Sequence, residues 1–207
     1  MVKKIQLLFP KKQISNASWF NSDEQFNQLY PLPIQNLSRR HWSPLKVSRR
    51  AAAFLTADNS LRVLDIGCGV GKFCLAAAHY EPRGFYFGVE QRKSLVEYAE
   101  RAQDTLCVKN VSFIHGNFTQ LDFHDYDHFY FYNSFFENLA GTDRIDESID
   151  YSSELFNYYN RYLFNQLEQK PAGTRLATFH SLEDEIPPDY HVVGSEMDNM
   201  LKFWIKI

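Results

Sequence analysis

A chain of 207 residues with 44% hydrophobic content suits one domain with a sizeable core, and no apolar run approaches the roughly 18 residues of a membrane helix. Three cysteines, without C-x-x-C spacing, argue against a disulfide framework and against a thiolate metal centre, so a reduced, cytoplasmic protein without a metal is expected. The formal net charge of −3 lacks the strongly basic profile of a nucleic-acid binder, although residues 1–60 carry nine Lys/Arg against three Asp/Glu and the remainder 13 against 22.

The chain begins Met1-Val2-Lys3-Lys4, followed by a short apolar stretch that ends at Pro10 before Lys11 and Lys12. That stretch is too short for a secretory core and has no small-residue cleavage site. Residues 1–43 read as an extension or lid ahead of a domain at 44–207. The basic cluster Arg39-Arg40-His41, Lys46, Arg49-Arg50 reads as a solvated helix face or as a patch that steers an acidic partner. A helix is expected from Pro44 to Ala57, with Ser43 as N-cap and Pro44 at the first helical position. Trp42 either covers the site or packs under the extension.

The stretch Val63-Leu64-Asp65-Ile66-Gly67-Cys68-Gly69-Val70-Gly71-Lys72 is a short apolar strand with an acid, then three alternating glycines. A helix-forming run, Phe73 to Ala78, follows. Glycines at this spacing allow a tight turn and close approach of a ligand to the backbone, and the helix start adds free N–H groups. A dinucleotide site would want its third glycine where Lys72 stands. Asp65 would repel a pyrophosphate but suits a ligand that carries an amino group. The run Asp65-x-Gly67-x-Gly69-x-Gly71 resembles the first motif of class I S-adenosylmethionine-dependent methyltransferases.

A second strand, Gly84 to Glu90, ends in an acid 19 residues after Gly71, where such folds place the acceptor for ribose hydroxyls. A helix at Ser94–Val108 and a third strand from Val111 follow, leading to the turn Gly116-Asn117-Phe118. The family commonly has an acid at the Asn117 position to accept from the adenine amino group. Asn117 can still accept through its carbonyl oxygen, with Phe118 covering the ring. A fourth strand, Phe129–Tyr132, leads into Asn133-Ser134-Phe135-Phe136-Glu137-Asn138. That segment is similar to the Asn-Asn-Phe segment of Dot1-like lysine methyltransferases.

A polar loop at 140–148, an amphipathic helix at Leu155–Gln169, a fifth strand at Gly173–His180 and terminal strands at Tyr190–Val193 and Leu201–Ile207 complete the reading. The resemblance covers roughly residues 45–207. It implies an α/β, Rossmann-like, seven-stranded, mostly parallel sheet with an antiparallel C-terminal hairpin and helices on both faces. It also implies S-adenosyl-L-methionine as cofactor, held by Asp65, Gly67, Cys68, Gly69, Glu90, Gln91, Asn117, Phe118 and Asn133. Asn133 would orient the acceptor nitrogen, Phe135 or Tyr132 would wall the methyl path, and Glu137 would be a candidate proton acceptor. The expected activity is N-methylation of a protein lysine or another amine. Transfer to RNA or a small molecule, and cofactor binding without transfer, are the alternatives, with nucleic acid not favoured and no membrane partner.

Overall fold

The computed structural model describes residues 16–58, 61–139, 141–142, 144–181 and 185–207; the N-terminal stretch through Lys12 lies outside them. A 3-10 turn (Asn16–Phe20) and three short helices, α1 (Asp23–Asn27), α2 (Leu32–Gln35) and α3 (Ser38–His41), precede α4 (Leu45–Leu55). There follow β1 (Arg62–Ile66), α5 (Lys72–Tyr80), β2 (Phe85–Glu90), α6 (Lys93–Leu106), β3 (Val111–His115) and β4 (His128–Phe131). The chain ends with α7 (Ser153–Glu168), β5 (Arg175–Phe179), β6 (Tyr190–Glu196) and β7 (Leu201–Lys206).

Among the described residues, seven strands join one sheet in the order β3-β2-β1-β4-β5-β7-β6. The first five are parallel, and β7 runs antiparallel to both β5 and β6. The expected sheet and its terminal hairpin are therefore present. Strands β1 and β4 are apolar almost throughout and buried along their length apart from Arg62, as parallel strands covered on both faces must be. Strand β6 is an edge strand: Val192 and Val193 are exposed, and a bulge at Val192/Gly194 interrupts its pairing with β7.

One face is covered by α4, α5 and α6 together with Phe20, Phe26, Tyr30 and Trp42 from the N-terminal segment. The other face is covered by α7, with Phe118, Phe123, Phe129 and Phe131 packed beneath it. Between β3 and β4 the crossover is made by two 3-10 turns, Phe118–Gln120 and Phe123–Asp125.

The expected start of α4 is corrected, and one of the two alternatives for Trp42 is observed. Ser43 does not cap α4; its hydroxyl is buried against the Tyr130 hydroxyl at 2.6 Å. Pro44 takes the N-cap position, and the free Leu45 N–H is accepted by Asp23 Oδ1 at 3.0 Å. Trp42 packs under the N-terminal segment, edge-on to Tyr30 with ring centroids 4.9 Å apart. Among the described residues no helix is long and apolar enough to cross a membrane, and no group of three or more His, Cys, Asp or Glu could hold a metal ion.

Candidate active site

The chain builds outward from β1 to β3 and then crosses back to β4 on the other side of β1. Such a reversal opens a crevice at the carboxyl ends of the strands. A cavity of about 410 Å³ lies there, lined from the ends of five strands: Gly67 and Gly69 after β1, Glu90 ending β2 and Gln91 after it, Phe118 after β3, Asn133 after β4 and His180 after β5.

Gly67, Gly69 and Gly71 all have positive φ, at 76°, 54° and 78°, a backbone region that side chains with a Cβ rarely adopt. A Cβ on Gly69 would meet nothing within 4 Å, whereas one on Gly71 would stand 2.3 Å from Phe113. Gly71 therefore serves packing, and Gly69 leaves open space where a ligand would lie.

Glu90, only 6% exposed, accepts from the Gly69 N–H through Oε2 at 3.2 Å and from the Arg92 N–H through Oε1 at 2.8 Å. Burial raises the carboxyl's pKa; the Arg92 N–H, the Arg92 guanidinium and the Gly69 N–H oppose that rise. The second carboxylate, Asp65, does not line the cavity. Strand alternation turns it toward α5, where it takes a weak hydrogen bond from Cys74 Sγ at 3.6 Å. Burial, with Glu90 nearby, pushes its pKa up to about 8, so it is protonated at neutral pH. Cys68 is likewise turned inward: Gly88 has no room for a Cβ because Cys68 Sγ would lie 2.7 Å from it.

Asn117 also stands behind the cavity wall. Its Oδ1 caps the following turn, accepting from the Thr119 N–H at 3.1 Å and the Thr119 hydroxyl at 3.0 Å. Its amide donates to Tyr159 Oη at 2.9 Å and Gln91 Oε1 at 3.2 Å. The oxygen expected to accept from an adenine amino group is thus engaged by the protein, because the Thr119 N–H requires an acceptor there. Phe118 and Phe135 do line the cavity, stacked with centroids 5.0 Å apart.

Asn133 lines the cavity in a left-handed conformation, φ 39°, a strained state that asparagine tolerates better than most residues. Its neighbour Ser134 ties the end of β4 to the glycine loop through Oγ to the Ile66 carbonyl at 2.6 Å. Asn138, on the same wall, has a buried Oδ1 without a hydrogen-bond partner among the described residues. Glu137 is not a free base: Arg92 Nη2 at 2.7 Å and the Ile145 N–H at 2.9 Å both donate to it.

Sequence reading missed Arg92, Tyr159, His41, His180 and the strap residues Ile145, Ile149 and Tyr151. Arg92 stands at the N-cap of α6, where a cation faces the unfavourable end of the helix dipole, but its carboxylate partners at 137 and 146 have no local signal. The lining by His41 and the strap arises from contacts across the whole fold and has no local signature.

Residues 57–158 match the family described as a methyltransferase domain. Among curated relatives, a tRNA (guanine-N(7)-)-methyltransferase of Microcystis aeruginosa is 43% identical over 54 residues, covering 26% of this chain and 26% of its own. A tRNA (guanine-N(7)-)-methyltransferase of Nostoc sp. is 31% identical over 84 residues, covering 41% of this chain and 38% of its own. The matches thus span about a quarter to two fifths of those relatives' length. TrmN from Thermus thermophilus superposes with a TM-score of 0.58 at 16% identity, over 84% of this chain and 52% of that one. An RNA methyltransferase from Salinibacter ruber, solved with S-adenosyl-L-homocysteine, gives 0.55 at 17% identity, over 79% and 92%. None of these comparisons supports the Dot1-like kinship expected from Asn133-Ser134-Phe135. That short aromatic match is accounted for by packing, since Phe135 lies within the buried stack of Phe118, Phe131 and Tyr159. The chain carries the class I S-adenosylmethionine-dependent methyltransferase fold, with the signature of the methyltransferase domain family over residues 57–158.

Proposed function

We propose that this protein is an S-adenosylmethionine-dependent methyltransferase acting on RNA, with guanine N7 of tRNA as the first acceptor atom to test. The observation that carries the reading is the cavity at the strand ends, where the open face of Gly69, the buried Glu90 carboxylate and the Asn138 Oδ1, unpartnered among the described residues, converge. This arrangement fits a ligand with vicinal hydroxyls, a flat ring and polar groups. When bound, the cofactor supplies an electrophilic sulfonium methyl. Glu90 would accept the ribose hydroxyls, Phe118 would flank the adenine, and Gly67 and Gly69 would admit the ligand close to the backbone. Asp65 and Cys68 would act from behind the loop by fixing its shape.

Asn133 has no side-chain hydrogen bond to the described protein and would orient the acceptor ring, while Phe135 and Tyr132 exclude water from the transfer path. A ring nitrogen with a free lone pair needs no deprotonation before attack. That agrees with a site whose Glu137 is committed to Arg92. The tRNA methyltransferase relatives favour RNA over protein lysine. So does the position of the basic segment: Arg39, Arg40, Lys46, Arg49 and Arg50 are exposed, and Arg40 and His41 line the cavity itself. Labelled S-adenosylmethionine offered with unmodified tRNA, followed by nucleoside analysis, tests the reading; label appearing only in protein would contradict it.

A further inference from the structure

Arg92 has more polar partners in this site than any residue so far given a role. Its side chain is 4% exposed and lies at the N-cap of α6. Its Nη1 is 3.5 Å from Glu90 Oε1, the oxygen its own N–H already holds. On the far side, Nη2 donates to Glu137 Oε2 at 2.7 Å and to Tyr151 Oη at 2.6 Å, and Nε donates to Asp146 Oδ1 at 3.1 Å. Tyr151 in turn donates to the Asp146 carbonyl at 2.6 Å. Asp146 and Tyr151 belong to the strap after β4 that also places Ile145 and Ile149 on the cavity wall.

We infer that Arg92 is a positioning residue: clamped by Glu137, Asp146 and Tyr151, it holds the Glu90 carboxylate oriented and ionised for the cofactor's ribose hydroxyls. The inference rests on the cofactor reading above. Orientation follows from the two ends of the carboxylate being held separately, Oε1 by the Arg92 N–H with the clamped guanidinium 3.5 Å away and Oε2 by the Gly69 N–H. A carboxylate has about four acceptor positions, so both oxygens keep capacity for ligand hydroxyls. Ionisation follows from the charge balance. Burial raises the Glu90 pKa and Glu137 adds to the rise, while the nearby Asp65 of β1 and Cys68 of the glycine loop hold their own protons and bring no countercharge. Arg92 is the cation set against these groups. Without it, Glu90 would hold its proton to higher pH and offer the ribose a weaker acceptor.

The test is calorimetric titration with S-adenosylhomocysteine from about pH 6 to about pH 9, on wild type, Arg92→Met, Arg92→Lys and Tyr151→Phe. Arg92→Met should bind about tenfold or more weakly near neutrality, and the deficit should shrink as pH rises and Glu90 ionises. Arg92→Lys, which keeps the charge, should recover the wild-type pH profile with a smaller loss. Tyr151→Phe should leave that profile unmoved while speeding proteolysis of the strap. A deficit in Arg92→Met that is the same at every pH makes the residue structural and overturns the inference. Should Arg92→Met fail to fold, Arg92→Lys decides: retained affinity and profile support the charge role, and a pH-independent loss overturns it. Wild type that binds no S-adenosylhomocysteine removes the cofactor reading and this inference together, whereas binding with unmoved variant profiles removes the inference alone.

Discussion

Gly69 and Gly71 share a left-handed backbone but are glycines for different reasons, and their alanine variants should separate the two. At Gly69 a methyl group meets no protein atom, so Gly69→Ala costs about 1–2 kcal/mol of backbone strain and mainly removes ligand space. At Gly71 the same change adds a clash with Phe113 and a 3.0 Å approach to Ala99, so overpacking of roughly 1–3 kcal/mol joins the strain. Thermal melts with and without S-adenosylhomocysteine should show Gly69→Ala folded but insensitive to ligand, and Gly71→Ala the less stable. Asp65 offers a pH test. Its folded pKa, about 8, lies above the ordinary 3.8, so the unfolded chain ionises first and binds fewer protons between those values. Stability from this group is therefore fully present below the lower value and is lost as pH rises toward the higher one. Asp65→Asn should flatten that decline, and a melting temperature that falls with pH as steeply as in wild type would show that Asp65 is not the group responsible. Asn133→Ala should cut methyl transfer while S-adenosylhomocysteine affinity stays near wild type, since the residue would act on the acceptor and not on the cofactor; full transfer would leave Asn133 with a backbone role only.

At the level of elements, the N-terminal segment is bound to the fold by a buried ammonium. Lys72, at the start of α5, donates to Asp23 and to Asn27 Oδ1, the latter at 3.2 Å, and lies over the rings of Phe26 and Trp42. Asp23 also accepts the first N–H of α4, so one carboxylate joins three helices. Asp23→Ala should cost roughly 2–3 kcal/mol, combining the loss of a cap with an ammonium left on the neutral Asn27 alone, the figure kept low because Asp23 is 41% exposed. Adding Lys72→Met should return part of that loss in chemical denaturation; strictly additive losses would show that the pair is not coupled. Elements of this kind mark the boundary of what sequence reading reached. The glycine loop, the strand-end Glu90 and every sheet strand were legible because strand and turn chemistry is local. The partners of Lys72 lie 45 and 49 residues away in the chain, and Asp65, Cys68 and Asn117 turned away from the cavity for reasons of strand alternation and turn capping. Residue type and spacing mark such positions as near a ligand but do not give the direction of the side chain.

Across the whole molecule, charge divides along the chain, +6 over residues 1–60 against −9 over the rest, from nine Lys/Arg against three Asp/Glu and 13 against 22. Arg50 is partly neutralised by Glu196, with its guanidinium held by both carboxylate oxygens. Arg40 stands on the cavity wall, and Arg39 precedes it in α3. Reversing both to Glu should weaken tRNA binding for every sequence tested. It should also lower the slope of log affinity against log salt by about one for each phosphate that the two arginines neutralise. An unchanged slope would place the RNA elsewhere. The most direct measurement is transfer itself: purified protein, methyl-labelled S-adenosylmethionine and unmodified tRNA transcript, with a protein-lysine acceptor mixture in parallel. Label is expected in the RNA, recovered as 7-methylguanosine, and should be lost with Glu90→Ala. Label in the protein mixture alone, or equal transfer by Glu90→Ala, would contradict that expectation.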